Sequence, residues 1–262
     1  FPGPHCPYDP SPEYADRFDP ADMPAAIPEV EGDHPHMRQA NINTNKLPWN
    51  GVDYSEFTEA HKRKIRAHYA ACVELIDEEV GAIMAALEVR GKLDDTVVIF
   101  ASDHGDSLGD HNLVGKGTFF ESSTHVPLAL RGPSVAPGQV KDDLVGLTDV
   151  TATLLSFAGC ELPGCTSGDS IPLPGTPAEA GNGREIICGA LDSAWMAFDG
   201  RWKLAKYDGG EQMLFDLDED PGERVNLLNS RELDDVYRKL DGALTKWVMS
   251  SIERSHADKV VY

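Results

Sequence analysis

Val97-Val98-Ile99-Phe100-Ala101-Ser102-Asp103-His104-Gly105-Asp106 begins as hydrocarbon and ends as a set of ligand-type side chains. Its apolar opening is mostly β-branched and short. That pattern predicts a strand covered on both faces, hence a central parallel strand of an α/β sheet. Sites in such sheets form beyond the carboxyl ends of the strands. Adjacent Asp103 and His104 can offer one carboxylate oxygen and one imidazole nitrogen to a divalent cation. Gly105 and Gly109 let the backbone turn behind them. Taken alone, the four residues serve equally well as a helix cap and a hydrogen-bonded turn histidine.

Working outward, residues 58–90 carry Ile65, Tyr69, Val73, Ile76, Val80, Ile83 and Leu87 at steps of three and four. This predicts one long amphipathic helix, with Thr58 as its N-cap and Gly91 at its end. Val126 to Leu130 reads as another strand, and Thr148 to Phe157 as a short helix stopped by Gly159. Residues 1–54 are rich in Pro, Asp, Asn and His without apolar periodicity, and read as a long functional loop. The Gly-, Pro- and Ser-rich residues 160–184 divide the chain into 1–170, part of a larger α/β domain, and a small α+β subdomain, 171–262. In the latter, strands at Glu185–Cys188, Trp195–Phe198, Trp202–Tyr207 and Met213–Phe215 form an antiparallel sheet. A helix from about 231 to 252 covers it.

The chain has 262 residues and a formal net charge of −21, a surface that repels nucleic acid and anionic membranes. No apolar run reaches the length of a membrane span. An anionic ligand must therefore be held by a few local cations. Lys116, between two glycines in Val-Gly-Lys-Gly-Thr, is a candidate anchor, with a solvated surface lysine as the competing reading. His5, in Gly-Pro-His-Cys-Pro-Tyr, sits on backbone stiffened by proline and suits hydrogen bonding or proton transfer; a plain surface histidine is the alternative. His34 and His36 form a second, weaker metal pair. Asp216, Asp218 and Asp220 imitate a calcium loop, but the glycine is misplaced and position 12 would be Leu227, so Asp220-Pro221-Gly222 reads as a turn. Five cysteines do not form a disulfide framework, although Cys160 and Cys165 are close enough in sequence to pair. The compartment stays open: cytoplasmic, periplasmic or secreted. So does association into a homo-oligomer.

Taken in order, several segments resemble the sulfatase family of the alkaline phosphatase superfamily. They are Gly-Pro-His-Cys-Pro-Tyr at 3–8, Ala-Ser-Asp-His-Gly-Asp-Ser-Leu-Gly-Asp-His at 101–111, Lys-Gly-Thr-Phe-Phe-Glu-Ser at 116–122 and Val-Pro-Leu at 126–128. Asp149 to Leu155, Phe215 to Glu223 and Asn226-Leu227 continue the resemblance. It implies an alkaline-phosphatase-like, largely parallel sheet flanked by helices, with a small C-terminal antiparallel sheet packed on a helix. It also implies a metal-dependent sulfuric ester hydrolase acting on a small sulfated substrate. Asp103 and His104 would be two ligands of one divalent ion, calcium or manganese. Lys116 and His5 would bind the sulfate and assist catalysis. His111 would lie near the leaving group.

Three departures stand out. Asp-His replaces the commoner Asp-Asn, as in the branch that includes phosphonate monoester hydrolases. His125 stands where Arg is common. The Cys/Ser-x-Pro/Ala-x-Arg motif that yields the family's formylglycine nucleophile is absent, as are the early Asp-Asp ligands. With Phe1 in place of an initiator Met, this leads to the expectation of an upstream segment that carries both. Hydrolysis of phosphonate monoesters or phosphodiesters on the same fold, and a non-catalytic fragment or binding module, are the alternatives.

Overall fold

The computed structural model describes residues 1–32, 35–46, 51–160 and 184–257. The chain divides into two compact units interleaved along the sequence. The first holds Phe1–Thr96, His104–Leu128 and Gly222–Val225. The second holds Val97–Asp103, Ala129–Pro221 and Asn226–Tyr262. The boundary expected at 170–171 lies outside the described residues, as do His34 and the Cys165 half of the suggested disulfide.

In the first unit, α1 (Pro12–Ala15) and α2 (Pro35–Asn45) precede the long α3 (Glu59–Val89), and α4 (Glu121–Thr124) follows. Thr58 caps α3 as expected: its hydroxyl accepts from the His61 backbone N–H, and His61 reaches back to the Thr58 N–H. Ala67 and Ala71, one turn apart, are fully buried and let neighbouring chain approach the helix closely. The expected apolar stripe is covered only in part, since Val73 is 44% exposed and Ile83 52%. The first-unit elements packed on α3 are α1 and short 3-10 turns, too small to cover a helix of 31 residues along its whole length.

The reading of residues 1–54 as loop needs correction, because α2 is a helix of three turns. Among its described side chains, α2 buries Met37, Asn41 and Asn45, at helical spacing. Two of the three are polar, so a search for apolar periodicity passes over them.

In the second unit, β1 (Val98–Ala101) pairs with β2 (Leu128–Arg131) in a two-stranded sheet. β1 was expected to be covered on both faces; here Phe100 is 41% exposed and Ala101 is also exposed. A two-stranded ribbon does not supply the layers that such a composition requires. Helix α5 (Leu147–Phe157) starts at Gly146, with Asp149 accepting from the Gly146 N–H at 2.8 Å. Buried Asp149 also takes both guanidinium ends of Arg184, at 2.5 and 2.9 Å.

The antiparallel sheet forms as expected, as β3 (Ile187–Leu191), β4 (Ala194–Phe198), β5 (Trp202–Tyr207) and β6 (Gln212–Asp216) in sequential order. The register sets Ala197 against Leu204 and Leu204 against Leu214. That file meets Leu240 and Leu244 of α6 (Asp234–Ala257) in one core, flanked by Trp195, Trp202 and Trp247. β3 runs beyond its expected end because Asp192-Ser193 makes the hairpin turn without glycine; Asp192 itself adopts φ 48°. The aspartate series is no calcium loop: Arg201 occupies both oxygens of Asp216 at 2.8 and 2.6 Å. No helix among the described residues is long and apolar enough to cross a membrane.

Candidate functional site

The first unit brings His5 and Lys116 together from opposite ends of its sequence. Lys116 Nζ lies 2.8 Å from His5 Nε2. His5 Nδ1 is 2.7 Å from the Cys6 carbonyl, which can only accept, so Nδ1 carries the proton. Nε2 is then the acceptor for the Lys116 ammonium. A fixed tautomer and a directed ammonium result. His5 is exposed and Lys116 half-buried, so the pair stays accessible to a ligand.

Each partner is held by its own support. Lys116 follows Gly115, whose carbonyl accepts from the Ser107 N–H at 2.8 Å and from the Ser107 hydroxyl at 3.0 Å. The Asn41 amide of α2 donates to the Lys116 carbonyl at 2.7 Å. Asn45 backs this by donating to the Asn41 carbonyl at 2.9 Å. Gly115 has φ 74°, and a Cβ there would stand 2.9 Å from the Asn45 side-chain oxygen. On the other side, Tyr8 follows His5 by three residues. His68 Nδ1 donates to the Tyr8 carbonyl at 2.9 Å, and the Tyr8 ring leans on Tyr69 at 6.3 Å between centroids.

Asp106 joins the two sides. Its Oδ2 accepts from the Tyr8 hydroxyl at 2.7 Å; its Oδ1 accepts from the Gly115 N–H at 2.9 Å and the Leu108 N–H at 3.0 Å. Burial, then the Asp106 charge, pushes the Tyr8 phenol far above its usual range, so it remains a donor. The same two causes raise the Cys6 thiol, against a smaller opposing effect of Lys116.

Asp103 and His104 fall in different segments along the sequence: Asp103 ends the strand segment of the second unit, and His104 begins a segment of the first. His104 Nδ1 donates to the Gly105 carbonyl at 2.9 Å, which directs the lone pair of the neutral ring to Nε2, as a metal ligand requires. Gly105 is obligatory here. Its N–H donates to the Ser123 carbonyl at 2.9 Å, and a Cβ would fall 2.0 Å from the Ser122 carbonyl oxygen. Among the described residues no group of three or more His, Cys, Asp and Glu side chains is assembled for a metal. The donor types of Asp103 and His104 suit a divalent ion, but two ligands fill only part of its shell.

His111 is placed inside the first unit. It is 1% exposed, its ring stacks on Phe120 at 3.9 Å between centroids, and its N–H donates to the Ile27 carbonyl at 2.8 Å. Sequence reasoning missed Tyr8, Asn41, Asn45, His68 and Glu223. Buried Glu223 accepts from the Glu121 N–H at 2.6 Å and fixes the start of α4. Only Asn41 and Asn45 left a trace, as two amides one helical turn apart.

A model of the family described as Sulfatase matches residues 1–160. An arylsulfatase of Clostridium perfringens is 31% identical over 97% of this chain and 52% of its own length. A phosphonate monoester hydrolase of Agrobacterium radiobacter superposes with a TM-score of 0.76 at 26% identity, over 96% of this chain and 55% of its own. A protein solved with its substrate D-glucosamine-2-N,6-O-disulfate superposes with a TM-score of 0.79 at 19% identity, over 96% and 64%. The chain spans 35% to 52% of the length of the curated relatives it matches. The fold is that of the alkaline-phosphatase-like sulfatases, and the chain belongs to the sulfatase family.

Proposed function

We propose that this chain forms the anion-gripping side of a sulfuric ester hydrolase that cleaves a small sulfate monoester to an alcohol and sulfate. The observation that carries the reading is the 2.8 Å contact between Lys116 Nζ and His5 Nε2. At that spacing Lys116 can hold a tetrahedral oxyanion by charge and its remaining N–H donors, and His5 joins it once Nε2 has taken up a proton, which it can then hydrogen-bond to the anion or pass to the leaving oxygen. Their tethering by Tyr8, Asp106 and Asn41 keeps donors directed at charge that develops on the leaving oxygen and the sulfate oxygens.

Asp103 and His104 would hold a divalent ion, calcium or manganese, completed by ligands from an upstream segment. When bound, that ion would polarise the sulfate oxygens and offset their charge. The same segment would bring the formylglycine nucleophile. His111 would serve the site through packing, by fixing the loop between Asp106 and Lys116. On this reading the 262-residue chain alone does not turn over substrate even with metal added. Turnover by the purified chain would contradict it.

A phosphonate monoester hydrolase is the second reading. It is favoured by the Asp-His pair and by the 26% identical neighbour of that activity. Kinetics of the native gene product on an aryl sulfate and on a phenyl phosphonate monoester separate the two. A higher kcat/KM for the sulfate is expected, and the reverse ranking would overturn the first reading.

A further inference from the structure

The Asp106 carboxylate is engaged well beyond its own turn. It accepts from three donors, and these belong to three different stretches of the first unit. Tyr8 belongs to the loop of His5, Leu108 to the turn after His104, and Gly115 to the loop of Lys116. Each oxygen faces one side: Oδ2 takes the His5 loop, Oδ1 the Lys116 loop. A carboxylate has room for about four hydrogen bonds, so three strong donors leave it little capacity for ligand chemistry of its own. Tyr8 is also bound at its backbone carbonyl, by His68, and at its ring face, by Tyr69, so the phenol and the backbone that carries it are held as one piece.

We propose that Asp106, acting through Tyr8, is a positioning residue that sets the separation of His5 and Lys116. The inference rests on the reading of that pair as the anion grip. The carboxylate works as a two-sided latch. One oxygen accepts from the N–H of Gly115, the residue before Lys116. The other holds a phenol three residues from His5. The chain between Tyr8 and His5 is short, so a shift of the phenol moves the imidazole with it. Because the phenol is neutral and hydrogen-bonded to a charged acceptor, it is a strong link.

The test begins with Tyr8→Phe, which removes one hydroxyl and leaves the ring on Tyr69. Alkylation of Cys6 by iodoacetamide in the native gene product reports the loop directly, since Cys6 lies between His5 and Tyr8 and is half-buried. Exposed Cys160 is the internal reference. Tyr8→Phe is expected to raise the Cys6 rate relative to Cys160 about three- to tenfold, the factor that loss of one charge-assisted hydrogen bond allows. In the native gene product the same variant is expected to lower kcat/KM for an aryl sulfate about tenfold per folded molecule, with Asp106→Asn following it. Tyr14→Phe, which deletes an exposed phenol bound to Glu78, is expected to change neither reading.

An unchanged Cys6 rate in Tyr8→Phe overturns the latch. So does a kcat/KM equal to wild type in the folded variant, even if its thermal midpoint falls, because that is the signature of a merely structural bond. Should the wild-type gene product show no sulfate hydrolysis while Tyr8→Phe still releases Cys6, the latch stands and the sulfate reading fails.

Discussion

At the scale of single residues, the chemistry rests on how side chains with one available role are aimed. His5 has its proton placed by the Cys6 carbonyl, and His104 by the Gly105 carbonyl. In both rings Nε2 is left as the working atom. Lys116→Ala in the native gene product is expected to reduce kcat/KM by about 10² to 10³, the usual loss when a directed donor to a developing anion is removed. Gly105→Ala is expected to abolish the local fold of the loop, because a methyl 2.0 Å from the Ser122 carbonyl oxygen cannot be accommodated without moving the backbone. Circular dichroism and limited proteolysis would show it, and a folded Gly105→Ala with native protease resistance would contradict the geometry.

At the scale of elements, the sequence revealed what apolar pattern can reveal. Helix α3, its Thr58 cap and the four-stranded sheet follow from periodicity and turn residues, and the structure places them as expected apart from small shifts at the ends. Helix α2 was illegible because its inward face is Met37, Asn41 and Asn45, and amides bury well only when a specific backbone partner awaits them. That partner, the Lys116 carbonyl, lies 75 residues away in sequence. Asn41→Ala leaves it without its amide donor and is expected to cost about 1–3 kcal/mol, read by urea unfolding of the chain. A change below about 0.3 kcal/mol would show that α2 does not brace the loop.

In the β5–β6 sheet the Arg201–Asp216 pair gives a pH dependence whose sign is fixed. Hydrogen bonds from Arg201 are the main cause that holds the Asp216 carboxyl below its ordinary value of 3.8. The folded chain therefore keeps this group ionised at a pH where the unfolded chain has begun to protonate it. The stabilisation is complete above the ordinary carboxylate range and is lost as pH falls through the lowered folded value. Asp216→Asn is expected to flatten the acid limb of a stability-versus-pH curve between about pH 4 and the onset of acid unfolding. An unaltered limb would assign the acid sensitivity elsewhere.

At the scale of the whole molecule, the resemblance carried by residues 3–8, 101–111, 116–122 and 126–128 gave the family, and the family match over residues 1–160 agrees. What the sequence could not show was the means by which distant segments meet. Tyr8 and Asp106 are 98 positions apart, and although each stands in one of the quoted motifs, neither motif announces the bond between them. The strand Val98–Ala101 illustrates the opposite limit. Its composition asks for cover on both faces, while Phe100 remains 41% exposed in this chain. Composition reports the environment a segment is suited to, and only coordinates report which layers the chain itself provides.

On the proposed reading, His5 and Lys116 grip the sulfate of an ester substrate. The most direct test is kcat/KM for an aryl sulfate, measured with the native gene product and its Lys116→Ala variant under identical metal loading. Turnover by the wild type and a loss of at least about 100-fold in the variant are expected. A folded Lys116→Ala protein that retains wild-type kcat/KM, or a wild type that leaves aryl sulfates intact while it hydrolyses phosphonate monoesters, would contradict it.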